Sequence, residues 1–290
     1  MDAFSVLDAF RWNKDRSRER LAHPVAEVAI EAAWAGGLEL LRFFRKELRV
    51  QTKGVANFVS EADLAAESAV VSAIRSRFPD HAVISEETHS DRADSEHLWI
   101  IDPLDGTNNY LHGMPHFAVS IGYYERGVGK VGVICNPAVG DWFVGAEGKG
   151  AWANGERSRV SSAKGLSDAM VSCGFYYDRG KMMQTTLDTL AELFRSDIHG
   201  MRRCGAAALD LAYLSCGWFD VFFEYRLSPW DYAAGGVLLR EAGGTLTDCS
   251  GAELPLGRHS SVCATNGQLH DSMLAVVGPR WQQLRSEPRV

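Results

Sequence analysis

The chain has 290 residues, 46% of them hydrophobic, and 30 basic against 37 acidic residues leave it with a net charge of −7. A chain of that length can bury one large core or two closely packed ones. The acidic balance argues against a nucleic-acid binder, which normally displays a basic face, and no uncharged apolar stretch is long enough to span a membrane.

Residues 1–23 interleave Arg11, Lys14, Arg16, Arg18 and Arg20 with Asp15 and Glu19 and contain no apolar h-region. They read as a solvated or frayed helical extension, neither a signal peptide nor a nucleic-acid arm. Apolar residues at helical spacing from Val25 to Leu48 predict the first long core helix, with Gly36-Gly37 as a close-packing point. Lys53-Gly54 opens a loop, and Val55–Val59 predicts a short strand. Ser60-Glu61-Ala62-Asp63 resembles an N-cap with acid in the first turn of a helix that continues over Ala65–Phe78 and stops before Pro79. Taken alone, Asp63 is an acid favoured by the helix dipole. Ala82–Ser85 predicts a strand running into Glu86-Glu87.

The stretch Trp99–Gly113 is the most informative. The apolar run Leu98–Ile101 predicts a buried strand that ends in Asp102, and Pro103 forbids continuation of a regular ladder. Asp105-Gly106 then forces a turn. Two carboxylates three residues apart leave the end of a buried strand together, and they repel unless a cation or a shared proton lies between them. Oxygen-only ligands of this kind suit a hard cation, Mg²⁺ above all. Backbone N–H groups of Gly106, Thr107 and Asn108 are positioned to meet a phosphate beside it. If the strand of Ala82–Ser85 neighbours this one, Glu86 and Asp102 reach the same sheet edge.

Ala118–Tyr124, Val131–Asn136 and Asp141–Glu147 predict an antiparallel meander, with a hairpin turn at Asn154-Gly155. Gly127-Val-Gly129-Lys-Val-Gly132 matches G-x-G-x-x-G, but it runs into strand-like Val133-Ile134-Cys135 where a dinucleotide site needs a helix. His112 and His116 are separated by Gly113 and Pro115 and cannot converge on a metal from one helix. No nucleophile elbow, Walker A loop or catalytic cysteine signature occurs. The second half alternates strands and helices, which predicts a parallel or mixed sheet with helices on its faces. Two acids stand out there: Glu224 at the end of the apolar strand Phe219–Phe223, and Asp231 just after Pro229-Trp230 at a helix start. The six cysteines are scattered without a C-x-x-C pair, as suits a reduced cytoplasmic protein.

Three blocks together resemble the inositol monophosphatase family. Ser85-Glu86-Glu87 is similar to that family's Gly-Glu-Glu, with Ser85 in place of the customary glycine. Asp102-Pro-Leu-Asp105-Gly-Thr107 and Trp230-Asp231-Tyr-Ala-Ala-Gly235 are similar to its second and third blocks. If the backbone at 85 required positive φ, Ser85 would be strained. The resemblance covers about Pro24 to Val277. It implies a layered αβαβα sandwich, with an N-terminal α+β half over 24–160 and a C-terminal α/β half over 161–290 following the 1–23 extension.

The resemblance also implies an activity: hydrolysis of phosphate monoesters, inositol 1-phosphate foremost, by water activated on two or three Mg²⁺ ions and inhibited by Li⁺. Glu86, Asp102, Asp105, Asp231 and the Leu104 carbonyl match its metal ligands. Thr107, Asp63 and Glu86 match residues that orient or deprotonate the attacking water. Gly106, Thr107, Gly205, Ala206, Ala207, Glu224 and Asp231 match substrate contacts, and Lys53 matches a loop lysine near the site. A homodimer acting on a small molecule is expected, with no nucleic-acid or membrane partner. Histidinol phosphate, fructose 1,6-bisphosphate or a 3′-phosphoadenosine nucleotide is the alternative substrate. A regulatory binding protein with incidental phosphatase activity is a further alternative.

Overall fold

The computed structural model describes residues 6–21, 23–54 and 57–286. In chain order its first part contains α1 (Val6–Arg20), α2 (Pro24–Phe43), the hairpin β1 (Val50–Gly54) and β2 (Asn57–Ser60), α3 (Glu61–Arg77), β3 (Ala82–Ser85), β4 (His97–Asp105) and α4 (Thr107–Leu111). The strands β5 (Ala118–Glu125), β6 (Val128–Asn136), β7 (Asp141–Ala146), β8 (Gly150–Ala153) and β9 (Glu156–Arg157) follow as a meander. The second part contains β10 (Met170–Cys173), α5 (Lys181–Arg195), β11 (Gly200–Arg202), α6 (Ala207–Ser215), β12 (Val221–Leu227), α7 (Pro229–Glu241), β13 (Thr245–Thr247), β14 (Ser260–Thr265) and α8 (His270–Ser286).

Strands β3 to β9 form one sheet in sequence order, antiparallel throughout except for the parallel pair β3/β4. A second sheet has the order β11-β10-β12-β14-β13, with β10 parallel to both neighbours and β14 antiparallel to both of its own. Helices α2 and α3 bury Ile30, Ala66 and Val70 against Val119 and Val133 on one face of the larger sheet. On its other face lie α6 and α7, which also bury Leu211, Leu214 and Leu239 against Phe222 and Val262 of the smaller sheet. Helices α5 and α8 cover the far side of that sheet through Leu193, Met273 and Val277. The layers therefore run αβαβα, as the resemblance implies.

One glycine sets the spacing of the central layer. A Cβ at Gly132 in β6 would lie 2.4 Å from the Ala234 carbonyl oxygen of α7, so only a bare backbone lets the helix settle this close to the sheet. Tyr124 Oη donates to the Ala233 carbonyl oxygen at 3.0 Å and fixes the same helix along its length. The start of α7, with Asp231, is thereby held over the end of β4.

The expectation of a solvated or frayed extension over 1–23 is overturned for residues 6–21, residues 1–5 and 22 lying outside the described residues. Phe10 of α1 is fully buried and stacks between Trp34 and Trp142, at ring distances of 4.8 and 4.9 Å. Trp142 Nε1 donates to the Phe10 carbonyl oxygen at 2.9 Å, and Asn13 Nδ2 to that of Gly140 at 2.9 Å. The charges that suggest solvation cover the rest of the helix; a narrow stripe of Phe10, Ser17 and Leu21 is buried.

Pro103 also does less than expected. The β4/β5 ladder pairs Asp102 with Ser120 and resumes at Asp105 opposite Ala118, so β4 carries one extra residue as a bulge and does not end. Of the strand expected over Val55–Val59, residues 57–59 are in β2 and 55–56 lie outside the described residues, as does the side chain of Lys53.

Candidate functional site

Strands β3 and β4 run side by side, with Ser85 opposite Ile101, and the Glu86 backbone N–H donates to the Ile101 carbonyl oxygen at 3.2 Å. The two acidic strand ends thus share one edge. Beyond the bulge, Asp102 and Asp105 converge with Asp231, offering one carboxylate oxygen each within 4.8 Å of one another. Asp102 is 1% and Asp105 8% exposed. Each acid has a local anchor: Asp102 Oδ1 accepts from Leu104 N at 3.0 Å, Asp105 Oδ2 from Ala208 N at 2.8 Å and Asp231 Oδ2 from Ser228 N at 2.6 Å.

Electrostatically this cluster is unfavourable by itself. Burial, then the charges of Glu86, Asp105 and Asp231, pushes Asp102 well above the usual carboxylate range. Burial pushes Asp105 up to about 7 even though backbone N–H groups around the start of α6 oppose it. Asp231 is raised by burial and by Asp105 and Glu86. The converging oxygen donors of buried Asp102 and Asp105 and half-buried Asp231 fit a hard divalent cation, which removes the repulsion that protonation would otherwise have to remove.

Glu86 stands outside the 4.8 Å group but lines the same cavity of about 380 Å³. Leu104, Gly106, Thr107, Gly205, Ala206 and Ala207 also line it. Gly106 has φ +88°, and a Cβ there would lie 3.1 Å from the His116 carbonyl oxygen and 3.2 Å from Ala206 Cβ, so the turn after Asp105 requires glycine.

Asp63 is more than a dipole partner. It is 1% exposed and closes a capping box with Ser60, accepting at Oδ2 from Ser60 N (2.8 Å) and Ser60 Oγ (2.6 Å). Its Oδ1 accepts from Thr107 Oγ1 at 3.3 Å, and that hydroxyl also lies 3.0 Å from the Leu104 carbonyl oxygen. Ser85 carries no strain: positive φ among described non-glycine residues is confined to Arg45, Arg126, Asn154 and Asp197.

Glu224 lies within β12, just before a register shift against β14, and faces the cavity. Burial raises its pKa to about 8, the nearby Arg203 charge lowers it, and Asp105 raises it. The cavity wall also contains Arg203, Asp210, Tyr177, Arg226 and His259, none singled out from the sequence. Asp210 is 1% exposed and raised well above the usual range by burial and by the Asp105 and Glu224 charges. Its one sequence signal is a lone acid inside the apolar run Ala206–Leu214. His112 closes α4, and neither it nor His116 is among the residues lining the cavity.

Residues 21–282 match the profile of the inositol monophosphatase family. The chain belongs to that family. It is 38% identical over 263 residues to the inositol-1-monophosphatase of Synechocystis, covering 89% of this chain and 90% of the relative. It is 37% identical over 264 residues to a Pseudomonas aeruginosa protein named Nus factor SuhB, covering 88% and 96%. Among solved structures, the IMPase of Thermotoga maritima matches with a TM-score of 0.82 at 33% identity, covering 90% of this chain and all of that one. Within this inositol monophosphatase-family chain, α1 lies ahead of the matched residues, whereas every acid of the cavity lies inside them.

Proposed function

We propose that the protein is a Mg²⁺-dependent phosphatase that hydrolyses phosphate monoesters with water, inositol 1-phosphate being the substrate favoured. The observation that carries this reading is the convergence of Asp102, Asp105 and Asp231 beside the Gly106-Thr107 turn. Asp102, Asp105, Asp231, Glu86 and the Leu104 carbonyl would hold the cations. The chemistry that Mg²⁺ supplies there is neutralisation of phosphate charge and acidification of water.

The chain's own residues do the rest. Asp63 accepts the Thr107 hydroxyl proton, which leaves the Thr107 oxygen lone pairs directed away from Asp63 to orient and take a proton from the attacking water. With the Thr107 proton on Asp63, the Leu104 carbonyl oxygen, 3.0 Å from Thr107 Oγ1, keeps its lone pairs for a cation. Glu224, held near neutrality in its pKa by burial, reads substrate hydroxyls as acceptor or donor. Phosphoryl transfer needs mainly positioning and charge neutralisation, so no protein nucleophile is required.

Assay of phosphate monoesters, inositol 1-phosphate included, with Mg²⁺ and with EDTA tests the reading; absence of Mg²⁺-dependent hydrolysis across such a panel would refute it. Li⁺ inhibition is checked in the same assay. We place the protein in the cytoplasm as a homodimer. Six free cysteines, four of them buried, support a reducing compartment, and Trp218, 55% exposed beside Tyr213, supports a subunit contact. No helix among the described residues is long and apolar enough to cross a membrane. A second reading, a regulatory binding protein, is favoured by the name Nus factor SuhB on a relative as similar as the enzyme relative. A hydrolysis-dead variant that still restored the phenotype of a deletion strain would select it.

A further inference from the structure

Helix α3 presents two buried acids one turn apart, Asp63 and Glu67, four residues apart and therefore on one face. Asp63 reaches the Asp102–Thr107 turn through Thr107 Oγ1. Glu67 has no place in the site described above and does not line its cavity. Yet it is 1% exposed, and its Oε1 is the focus of a dense knot. Ser85 Oγ donates to it at 2.5 Å, Thr88 Oγ1 at 2.7 Å and Thr88 N at 3.1 Å, and His89 Nδ1 lies 2.7 Å away. The segment 85–89 is closed on itself as well: Ser85 N donates to the His89 carbonyl oxygen at 2.8 Å and His89 N to Ser85 Oγ at 3.1 Å.

We infer that Glu67 is a positioning residue for Glu86. It grips the turn on both sides of Glu86-Glu87 and sets how that carboxylate is presented to the cations. Helix α3 is then a rigid two-pronged clamp: Asp63 fixes the turn that follows Asp105, and Glu67 fixes the turn that follows β3. Neither strand end can drift relative to the other without breaking hydrogen bonds to the same helix. Ser85 acquires a function in this arrangement. Glycine at 85 has no hydroxyl, so serine adds the shortest contact of the knot without requiring an unusual backbone. The inference rests on the reading of Glu86 as a cation ligand.

The test uses the full chain, with Mn²⁺ as a probe followed by electron paramagnetic resonance, Mg²⁺ titration of p-nitrophenyl phosphate turnover, and thermal melting in EDTA. Partners that orient metal ligands typically contribute 10–100-fold in metal affinity. Glu67→Gln is therefore expected to weaken Mn²⁺ binding and raise the half-saturating Mg²⁺ concentration by about 10–100-fold. Turnover at saturating Mg²⁺ should recover to near the wild-type value. Ser85→Ala and Thr88→Val, which each remove one donor, should shift Mg²⁺ half-saturation in the same direction by a smaller factor while the EDTA melting temperature stays close to wild type. If Glu67→Gln does not fold, those two variants decide. Unchanged cation affinity in variants that fold, or a loss of turnover that follows the EDTA melting temperature and is not rescued by Mg²⁺, overturns the inference. Wild-type protein that neither binds Mn²⁺ nor hydrolyses the ester would instead refute the phosphatase reading.

Discussion

Two acidic sites adjoin the Glu86-Glu87 turn, the cluster of Asp102, Asp105 and Asp231 and the single carboxylate Glu67 with its donors, and their ionisation is shifted in opposite directions. At Asp102 and Asp231 burial is reinforced by neighbouring acids, at Asp105 burial outweighs the backbone N–H groups that oppose it, and all three carboxyls are raised. At Glu67 burial pushes the same way, but Ser85, His89 and Thr88 outweigh it, and the carboxyl is held below its ordinary value. Burial by itself therefore does not distinguish a cation site from a structural anchor; the balance of donors to acids does. The first cluster gathers three acids at one point and could hold a cation. The second is supplied with donors and needs none.

The largest effect that can break this contrast is removal of one acid from the first cluster. Asp102→Asn deletes a charge at nearly constant size, and Mg²⁺-dependent turnover should fall to background while the fold, measured by circular dichroism, is retained. Wild-type turnover at matched Mg²⁺ would remove Asp102 from the site. Next is Thr107→Ala, which should lower turnover by roughly 10²-fold or more, the range of general acid–base assistance, with Mn²⁺ binding little changed. Thr107→Ser should recover most of it.

Smaller still is Glu224→Gln, expected to reduce kcat/KM for inositol 1-phosphate by about 10-fold, the equivalent of one hydrogen bond to a charged group. p-Nitrophenyl phosphate, which has no hydroxyls to read, should lose less. Equal losses on both would deprive Glu224 of a role in choosing the substrate.

The smallest effect is one of pH. Asp105 at about 7 and Glu224 at about 8 lie above their ordinary values of 3.8 and 4.5. Folded-state values above the unfolded ones mean that their contribution to stability is full below about pH 4 and is lost as pH rises through 7 to 8. Glu67 has the opposite sign, contributing above its ordinary value of 4.5 and losing that contribution as pH falls below it. Cation binding offsets the first loss, so the gap between melting temperatures in Mg²⁺ and in EDTA should widen from pH 5 to pH 8. A constant gap would contradict the repulsion assigned to the first cluster.

The two clusters also differ in how far they can be read from the sequence. Asp102, Asp105 and Asp231 announce themselves because each sits at a chain feature with a local signature: a strand end, an Asp-Gly turn, a Pro-initiated helix. Glu67 sits inside a helix among alanines, where an acid is unremarkable, and its partners Ser85, Thr88 and His89 come from a different element. Its one local signal is the four-residue spacing from Asp63. Asp63 shows the same limit from the other side, since a cap and a tertiary contact to Thr107 coexist in one residue. The layer order was implied by the family resemblance, and the strands and helices themselves were legible because their patterns are local. The docking of α1 was not, because its buried stripe is a few residues wide and nine charged or polar neighbours surround it.

The bulge between Asp102 and Asp105 has a consequence for how this motif can change over time. Along a regular strand, residues an odd number apart point to opposite faces of the sheet. Positions 102 and 105 are three apart, and the extra residue in β4 rephases the strand so that both carboxylates turn to the same side. The stretch behaves like a reading frame. Substitutions at Pro103 or Leu104 can be absorbed as changes of shape, but gaining or losing a single residue there would invert the orientation of everything after it. Such a change would separate the two acids across a β-sheet without altering either of them, so length, more than identity, is the property that this segment must keep.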